Sequence, residues 1–419
     1  VARFTAPRVI GLGVATGLGY GKAALREGLE QGRDVFGLLR RPGREAAAGA
    51  PPFIGVELPP PPALPHRLPS RILRTTSLSG QLAVTVLDEA WTEAGLDAVD
   101  PERIGLIIGG SNTQTRHLAE MREGAQESLS FLRPQYGLSF LDTDLCGLCS
   151  AAFGVRGFAY TVGGASASGA LAVALAAQAL QAGQVDVCIA IGALQDLSRH
   201  ELQAFSAMGA MASQGAWERP GQAARPFDRD RGGFVYGEMS AAIVLSRGDT
   251  PLPRPGGPDY GRLLGWAQTA DASRGPSPSV EGELRAVRGA LAAAGLRPED
   301  IDAISTHGTG SPLGDDTELA TLRAAGLEGA ELNAPKSIIG HGLSAAGAVE
   351  LAALLLQLEA GRLHGTRNLD HPTRPELRWA QGAAPASPPR RALKLSMGFG
   401  GVNLALVVEA ADGPRPPRL

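Results

Sequence analysis

Thr161-Val-Gly-Gly-Ala-Ser-Ala-Ser-Gly-Ala170 runs on into Leu171, Ala172, Leu175, Ala176, Ala179 and Leu180, ending near Ala182. Glycine and small residues come first, and apolar residues then recur at helical spacing. The stretch therefore reads as a tight turn feeding a buried helix. Ser166 falls at or near the helix N-terminus, where unpaired backbone N–H groups and the positive dipole end favour negative charge. Alone, the pattern equally describes a plain core helix with small residues for close contact.

The stretch has an echo. Ser166-Ala-Ser-Gly-Ala170 with Leu180-Gln-Ala-Gly183 returns as Ser344-Ala-Ala-Gly-Ala348 with Leu358-Glu-Ala-Gly361, at one constant offset. Glu93-Ala-Gly-Leu96 ahead of Pro101 and Ile104 returns as Ala293-Ala-Gly-Leu296 ahead of Pro298 and Ile301. A repeat this long lies outside solenoid periods. It argues for two similar α/β halves, 1–250 and 251–410, with a frayed tail over 411–419. Strands are expected at Arg8–Ala15, Arg103–Ile108, Val185–Ile191, within Gly233–Leu245 and at Tyr260–Thr269. Helices are expected near 79–95 and over Val280–Ala294. This alternation predicts mainly parallel sheets covered by helices. Residues 34–75, rich in Pro and Arg, read as an irregular surface excursion, and 113–160 as a helical and loop insertion.

Composition narrows the function. A formal charge of -3 and a pI near 6.2 give no electrostatic case for nucleic acid. No apolar run reads as the ~18 residues of a membrane span, and the first residues lack the pattern of a signal peptide. Cys146-Gly-Leu-Cys149 has redox-pair spacing, but no second pair completes a zinc site and no thioredoxin-like context surrounds it. Free thiols in a reducing cytoplasm are expected. Gly11, Gly13 and Gly17 loosely suggest a dinucleotide loop, yet the third glycine comes one residue late and no acidic partner follows at the required distance. Of 39 basic residues only Lys22, Lys336 and Lys394 are lysine.

Three separated segments place a reactive or aromatic group in a Gly-rich turn at or near a strand end. His307 lies in Ile304-Ser-Thr-His-Gly-Thr-Gly-Ser-Pro-Leu-Gly-Asp315. Asn333-Ala-Pro-Lys-Ser-Ile-Ile-Gly-His341 carries Lys336 and His341 just ahead of the echoed helix. Phe399 lies in Ser396-Met-Gly-Phe-Gly-Gly-Val-Asn403. Ligand sites of open α/β sheets form at strand carboxyl ends, so Ser166, His307, His341, Lys336 and Phe399 are expected to converge from both halves. No further His or Cys sits at ligand spacing beside either histidine, so no metal is expected.

These segments, with Arg225-Pro-Phe-Asp-Arg-Asp-Arg-Gly-Gly-Phe234 and Tyr236-Gly-Glu238, resemble the β-ketoacyl-ACP synthases over nearly the whole chain. The resemblance implies a thiolase-like fold, two pseudo-repeated α/β halves in a five-layer αβαβα sandwich. It implies a homodimer built on the first half and a substrate carried on the phosphopantetheine of an acyl carrier protein, with no tightly bound cofactor. It also implies that His307 and His341 stabilise a malonyl-derived enolate, supported by Lys336, Glu350, Phe399 and Asp315. Ser166 and Phe399 are expected at an oxyanion hole, with Thr309, Gly400 and Asn403 against the substrate. Lys336 and Glu350 are expected to hold the His341 region.

One departure redirects the function. The family motif carries a nucleophilic cysteine where this chain has Ser166 in Ala165-Ser-Ala-Ser-Gly169. A thiol titrates near ~8.5, and lower at a helix N-terminus, whereas a serine hydroxyl needs a general base. Chain loading is then lost while decarboxylation is kept. The pattern is similar to ketosynthase-like decarboxylases that make acetyl-ACP from malonyl-ACP for polyketide β-branching, in the cytoplasm. The alternatives are a condensing or acyl-transfer enzyme that uses Ser166 as nucleophile, a ketosynthase with an engineered Cys→Ser exchange, and a non-catalytic partner subunit of the chain-length-factor kind. The last is disfavoured by the presence of both histidines.

Overall fold

Ten strands and four helices carry the repeat. In the computed structural model, which describes residues 5–411 apart from 63–66, 70–71, 73–74, 213, 384 and 386, the first half contributes β1 (Arg8–Thr16), β2 (Ile104–Gly109), β3 (Phe158–Val162), β4 (Val187–Gly192) and β5 (Met239–Ser246). The second contributes β6 (Gly261–Ala270), β7 (Ala303–Ser305), β8 (Glu331–Asn333), β9 (Arg391–Gly398) and β10 (Val402–Glu409). The spatial order is β3-β2-β4-β5-β1 followed by its mirror, β6-β10-β9-β7-β8. The two fives meet through a short antiparallel contact, Arg8 with Arg262 and Val9 with Gly261. The tail at 411–419 lies outside the described residues except for its first residue.

Mainly parallel pairing was expected, and it holds for three strands in each half, β3-β2-β4 and β8-β7-β9. β5 and β1, and likewise β10 and β6, pair antiparallel. Every strand except β3 and the far part of β6 is largely buried, and a strand covered on both faces shows no alternation to reveal its direction. β3 was missed altogether, because Phe158, Ala159 and Tyr160 lie on a partly exposed sheet edge.

α1 (Leu78–Ala94) covers the outer face of the first sheet and α3 (Val280–Ala294) that of the second. Each ends on a left-handed glycine, Gly95 at φ 70° and Gly295 at φ 67°, which explains the echoed Ala-Gly-Leu. Between the sheets lie α2 (Ser168–Gln181) and α4 (Ala346–Ala360), completing the αβαβα layering. Their small residues are a steric requirement. A Cβ on Gly169 would fall 2.9 Å from the Ser344 carbonyl oxygen, and one on Gly347 2.7 Å from the Ala170 nitrogen.

The same logic removes the dinucleotide-loop reading. Gly11 and Gly13 lie inside β1, and a Cβ on Gly13 would fall 1.8 Å from the Val86 carbonyl oxygen of α1. Two further expectations are corrected. Leu343–Ala360 is long and apolar enough, by length and composition, to cross a membrane; 89% of it is buried inside this fold, where it is the core helix. Residues 34–75 are more than a surface excursion. Gly37–Leu38 and Ile54–Val56 form a small sheet with Tyr236–Gly237, and Arg44, fully buried, pairs with Glu57, Asp196 and Glu238. A buried arginine is tolerable only with such partners, and the Pro- and Arg-rich composition of the segment hid them.

Candidate active site

Backbone strain sets the position of Ser166. Ala165, just before it, has φ 47°, a left-handed conformation that costs a non-glycine residue roughly 1–3 kcal/mol. Leu343 repeats this at φ 49° just before Ser344. The turn is braced by Ser168, whose Oγ accepts from Gly164 N (2.8 Å) and donates to the Ala165 carbonyl (2.7 Å). Ser166 thereby sits one turn ahead of α2, with His341 Nε2 2.9 Å from its Oγ. That contact joins the two halves.

His307 follows β7 in a turn that needs glycine. Gly308 has φ 35° and Gly310 φ 86°. Carboxylates hold the turn from behind: Glu318 accepts from His307 N (2.6 Å) and Gly308 N (2.8 Å), and Asp315 accepts from Thr309 N, Gly310 N and Phe227 N. The Arg225-Pro-Phe-Asp228 segment thus braces the histidine loop. Burial pushes Asp315 up to about 7.

Lys336 was expected to serve His341 but instead reaches His307. Its ammonium donates to the His307 carbonyl and lies 3.5 Å from His307 Nδ1. An ammonium facing Nδ1 requires a lone pair there, so the neutral ring carries its hydrogen on Nε2, which is free to donate. Burial first, then Lys336, His341 and Lys394, hold His307 well below the usual histidine range. Burial, then Lys336 and Lys394, do the same to His341. The two rings meet edge to face with centroids 5.7 Å apart. Glu350, on α4, pairs with both Lys336 and Lys394, the latter at 2.8 Å.

His341 carries a second clue. Its Nδ1 is buried without a hydrogen-bond partner among the described residues. A hydrogen on Nδ1 would leave a buried N–H orphaned, whereas a hydrogen on Nε2 leaves only a lone pair unmet, the smaller breach. His341 is therefore assigned as a donor to Ser166 Oγ rather than as its base. Among the described residues, no carboxylate hydrogen-bonds Nδ1 to orient the ring as a Ser-His-Asp arrangement requires.

A cavity of about 1030 Å³ opens over these groups, lined by Ser166, His307, His341, Thr309, Phe399 and Asn403 among others. Lys336, Glu350 and Asp315 do not line it; each is nearly fully buried behind the His307 turn, which Lys336 and Asp315 hold directly and Glu350 through Lys336. Gly400 is not among the lining residues; it sits in the exposed turn between β9 and β10. Phe399 is 41% exposed at the tip of that turn. From it a line of rings leads inward: Phe399 to Phe205 (6.4 Å), Phe205 to Phe234 (5.7 Å), Phe234 to His341 (5.3 Å). A Cβ on Gly398 would fall 2.2 Å from the Gly164 carbonyl oxygen, so the strand end carrying Phe399 lies against the Ser166 turn.

Sequence reasoning missed Lys394, Glu318 and the two inner phenylalanines. A signal existed for the first: in a chain that uses arginine almost everywhere, all three lysines prove to be paired with glutamates. The Cys146-x-x-Cys149 pair lies buried and unbridged in helix Thr143–Phe153, where burial pushes both thiols up, away from the thiolate form.

A buried serine on a strained turn, two neutral histidines and a lysine–glutamate cluster behind them, drawn from two pseudo-symmetric halves, make up a candidate site of the condensing-enzyme kind. The chain belongs to the β-ketoacyl synthase family: residues 8–250 match the family's N-terminal domain and residues 260–370 its C-terminal domain. Within that family it is 48% identical, over 96% of its length and 95% of the relative's, to the polyketide biosynthesis malonyl-ACP decarboxylase PksF of Bacillus subtilis (strain 168). The tetracenomycin polyketide synthase ketoacyl synthase alpha subunit of Streptomyces glaucescens is 31% identical over 96% of both chains. Among solved structures, the ishigamide ketosynthase/chain length factor superposes with a TM-score of 0.87 at 26% identity, covering 97% of this chain and all of the other.

Proposed function

We propose that this protein decarboxylates a malonyl group carried on the phosphopantetheine of an acyl carrier protein, giving acetyl-carrier protein for polyketide β-branching. The observation that carries the reading is the pairing of two neutral histidine donors with a serine that no base activates. The malonyl thioester oxygen takes the Nε2–H of His307 and of His341, displacing Ser166 as the acceptor. The bond between the α-carbon and the carboxylate breaks, carbon dioxide leaves, and the electron pair passes into the enolate. Each such donor aimed at a developing oxyanion contributes about 2.7–4 kcal/mol. Lys336 sets the His307 tautomer. Phe399 and Phe205 turn an apolar edge toward the departing carboxylate, disfavouring its charge. Backbone N–H groups at Ser166 and Phe399 form an oxyanion hole, and Thr309 and Asn403 hold the pantetheine arm.

The reading agrees with the name of the Bacillus subtilis relative. The carrier protein, which is acidic as a class, docks at the cavity mouth, with the exposed Arg122 and Arg199 among the lining residues. A second copy of the chain covers β3, whose outer edge has no strand partner among the described residues and whose Tyr160 is 40% exposed, with Leu138 and Phe140 also exposed nearby. Three buried free thiols suit a reducing cytoplasm. Incubation with malonyl-loaded carrier protein should release carbon dioxide and leave acetyl carrier in matching amount. Malonyl carrier that persists unchanged would contradict the proposal.

A further inference from the structure

Decarboxylation that ends in acetyl consumes a proton at the α-carbon, which a condensation does not. His307 and His341 are poor candidates to supply it, because both are neutral and each uses its N–H on the enolate oxygen. Besides the two histidines, the cavity lining includes the carboxylates and imidazole of Glu123, Glu201 and His200, none of them buried, and Asp271, Glu283 and Glu318. Glu318 has both oxygens committed to backbone N–H groups of the His307 turn; burial raises its carboxyl, and those two bonds and the charges of Lys394 and Lys336 oppose the rise.

Glu283 is built differently. It sits in the first turn of α3, 2% exposed. Its Oε2 accepts from the Thr321 hydroxyl at 2.8 Å, and its Oε1 has no protein partner among the described residues. Among the described residues, the charged groups that act on it are carboxylates: Glu318 from helix Pro312–Ala324 and Asp271 from the segment after β6. Asn403 of β10, close to the neighbouring Gly282, donates its amide to Asp271 (2.8 Å). Burial, then Glu318, push its carboxyl up to about 8, so it is mostly protonated at neutral pH.

We propose that Glu283 is the proton source that turns the enolate into the acetyl group. The inference rests on the decarboxylase reading above. The carboxyl O–H bond breaks as the C–H bond forms at the α-carbon, directly or through one intervening water. The glutamate is reprotonated from solvent through the open cavity.

The test is a steady-state pH series from about 6 to about 10 with malonyl-loaded carrier protein, comparing the wild type with Glu283→Gln and Glu283→Asp. The wild type should lose kcat as pH rises through about 8, since the acid form is the active one. Glu283→Gln should lower kcat about 100-fold with KM unchanged and should lack that alkaline limb. Glu283→Asp should restore part of kcat together with the limb. A Glu283→Gln protein that keeps the wild-type limb overturns the inference alone, whatever its kcat. A wild type that makes no acetyl carrier overturns the parent reading, and this inference with it.

Discussion

The two halves make the same turn and use it differently. Ala165 and Leu343 share a left-handed φ, and each is followed by a serine and a helix of small residues. In the second half the hydroxyl of Ser344 donates to the Ala193 carbonyl (2.8 Å) and is 99% buried. In the first half Ser166 faces the cavity and meets His341. The partners differ at equivalent positions. With Ser166 matched to Ser344, His341 stands where the first half has Gly163, and Glu350 where it has Ala172. A duplicated scaffold thus supplies one open turn, while the other half supplies the polar groups around it.

Breaking the lysine–glutamate cluster should have the largest effect. Glu350→Ala leaves the Lys336 and Lys394 ammonium groups buried without their carboxylate, and should lower unfolding stability by about 3–5 kcal/mol in urea titration. Next come the donors. His307→Ala and His341→Ala should each lower the rate of carbon dioxide release by about 100- to 1000-fold without unfolding the protein. The interface between α2 and α4 follows: Gly347→Val, with its Cβ driven against Ala170, should destabilise by about 1–3 kcal/mol, read as a fall in Tm. Ser344→Ala should have the smallest effect, about 1 kcal/mol of stability from the lost hydrogen bond and no change in decarboxylation.

The pH dependence sharpens the same contrast. Both histidine pKa values are depressed in the folded protein, so the unfolded chain binds more protons over the interval between folded and unfolded values. Stability should therefore decline as pH falls below about 6.5, the unfolded histidine value. The donor form of both rings should persist through neutral pH, leaving the acid limb of activity below the ordinary histidine range. An acid limb centred near about 6.5 would argue against the buried, lysine-flanked placement of the rings.

Much of this was legible in the chain because it rested on backbone requirements. Small residues at 165–170 and 344–348 mark a close helix crossing, and Gly95 and Gly295 mark helix ends, so the repeat and its layers could be read directly. Histidines in glycine turns marked the site. What escaped notice had no periodic or steric signature. β3 is short and lies at an edge, and the buried strands hide their pairing direction. Lys394 and Glu318 look like ordinary polar residues until the fold brings them against Glu350 and the His307 turn. Lys336 was assigned to the histidine nearer in sequence, whereas the fold takes it to the other.

The central claim is that Ser166 accepts a hydrogen bond and does not accept an acyl group. Its most direct test is intact-protein mass spectrometry of the enzyme, wild type and Ser166→Ala, incubated with malonyl-loaded and acyl-loaded carrier protein together. The account predicts acetyl carrier from both proteins, at rates within about tenfold of each other, no mass gain on either, and no β-ketoacyl product. An acyl adduct on the wild type that is absent from Ser166→Ala, turning over into β-ketoacyl carrier, would contradict it.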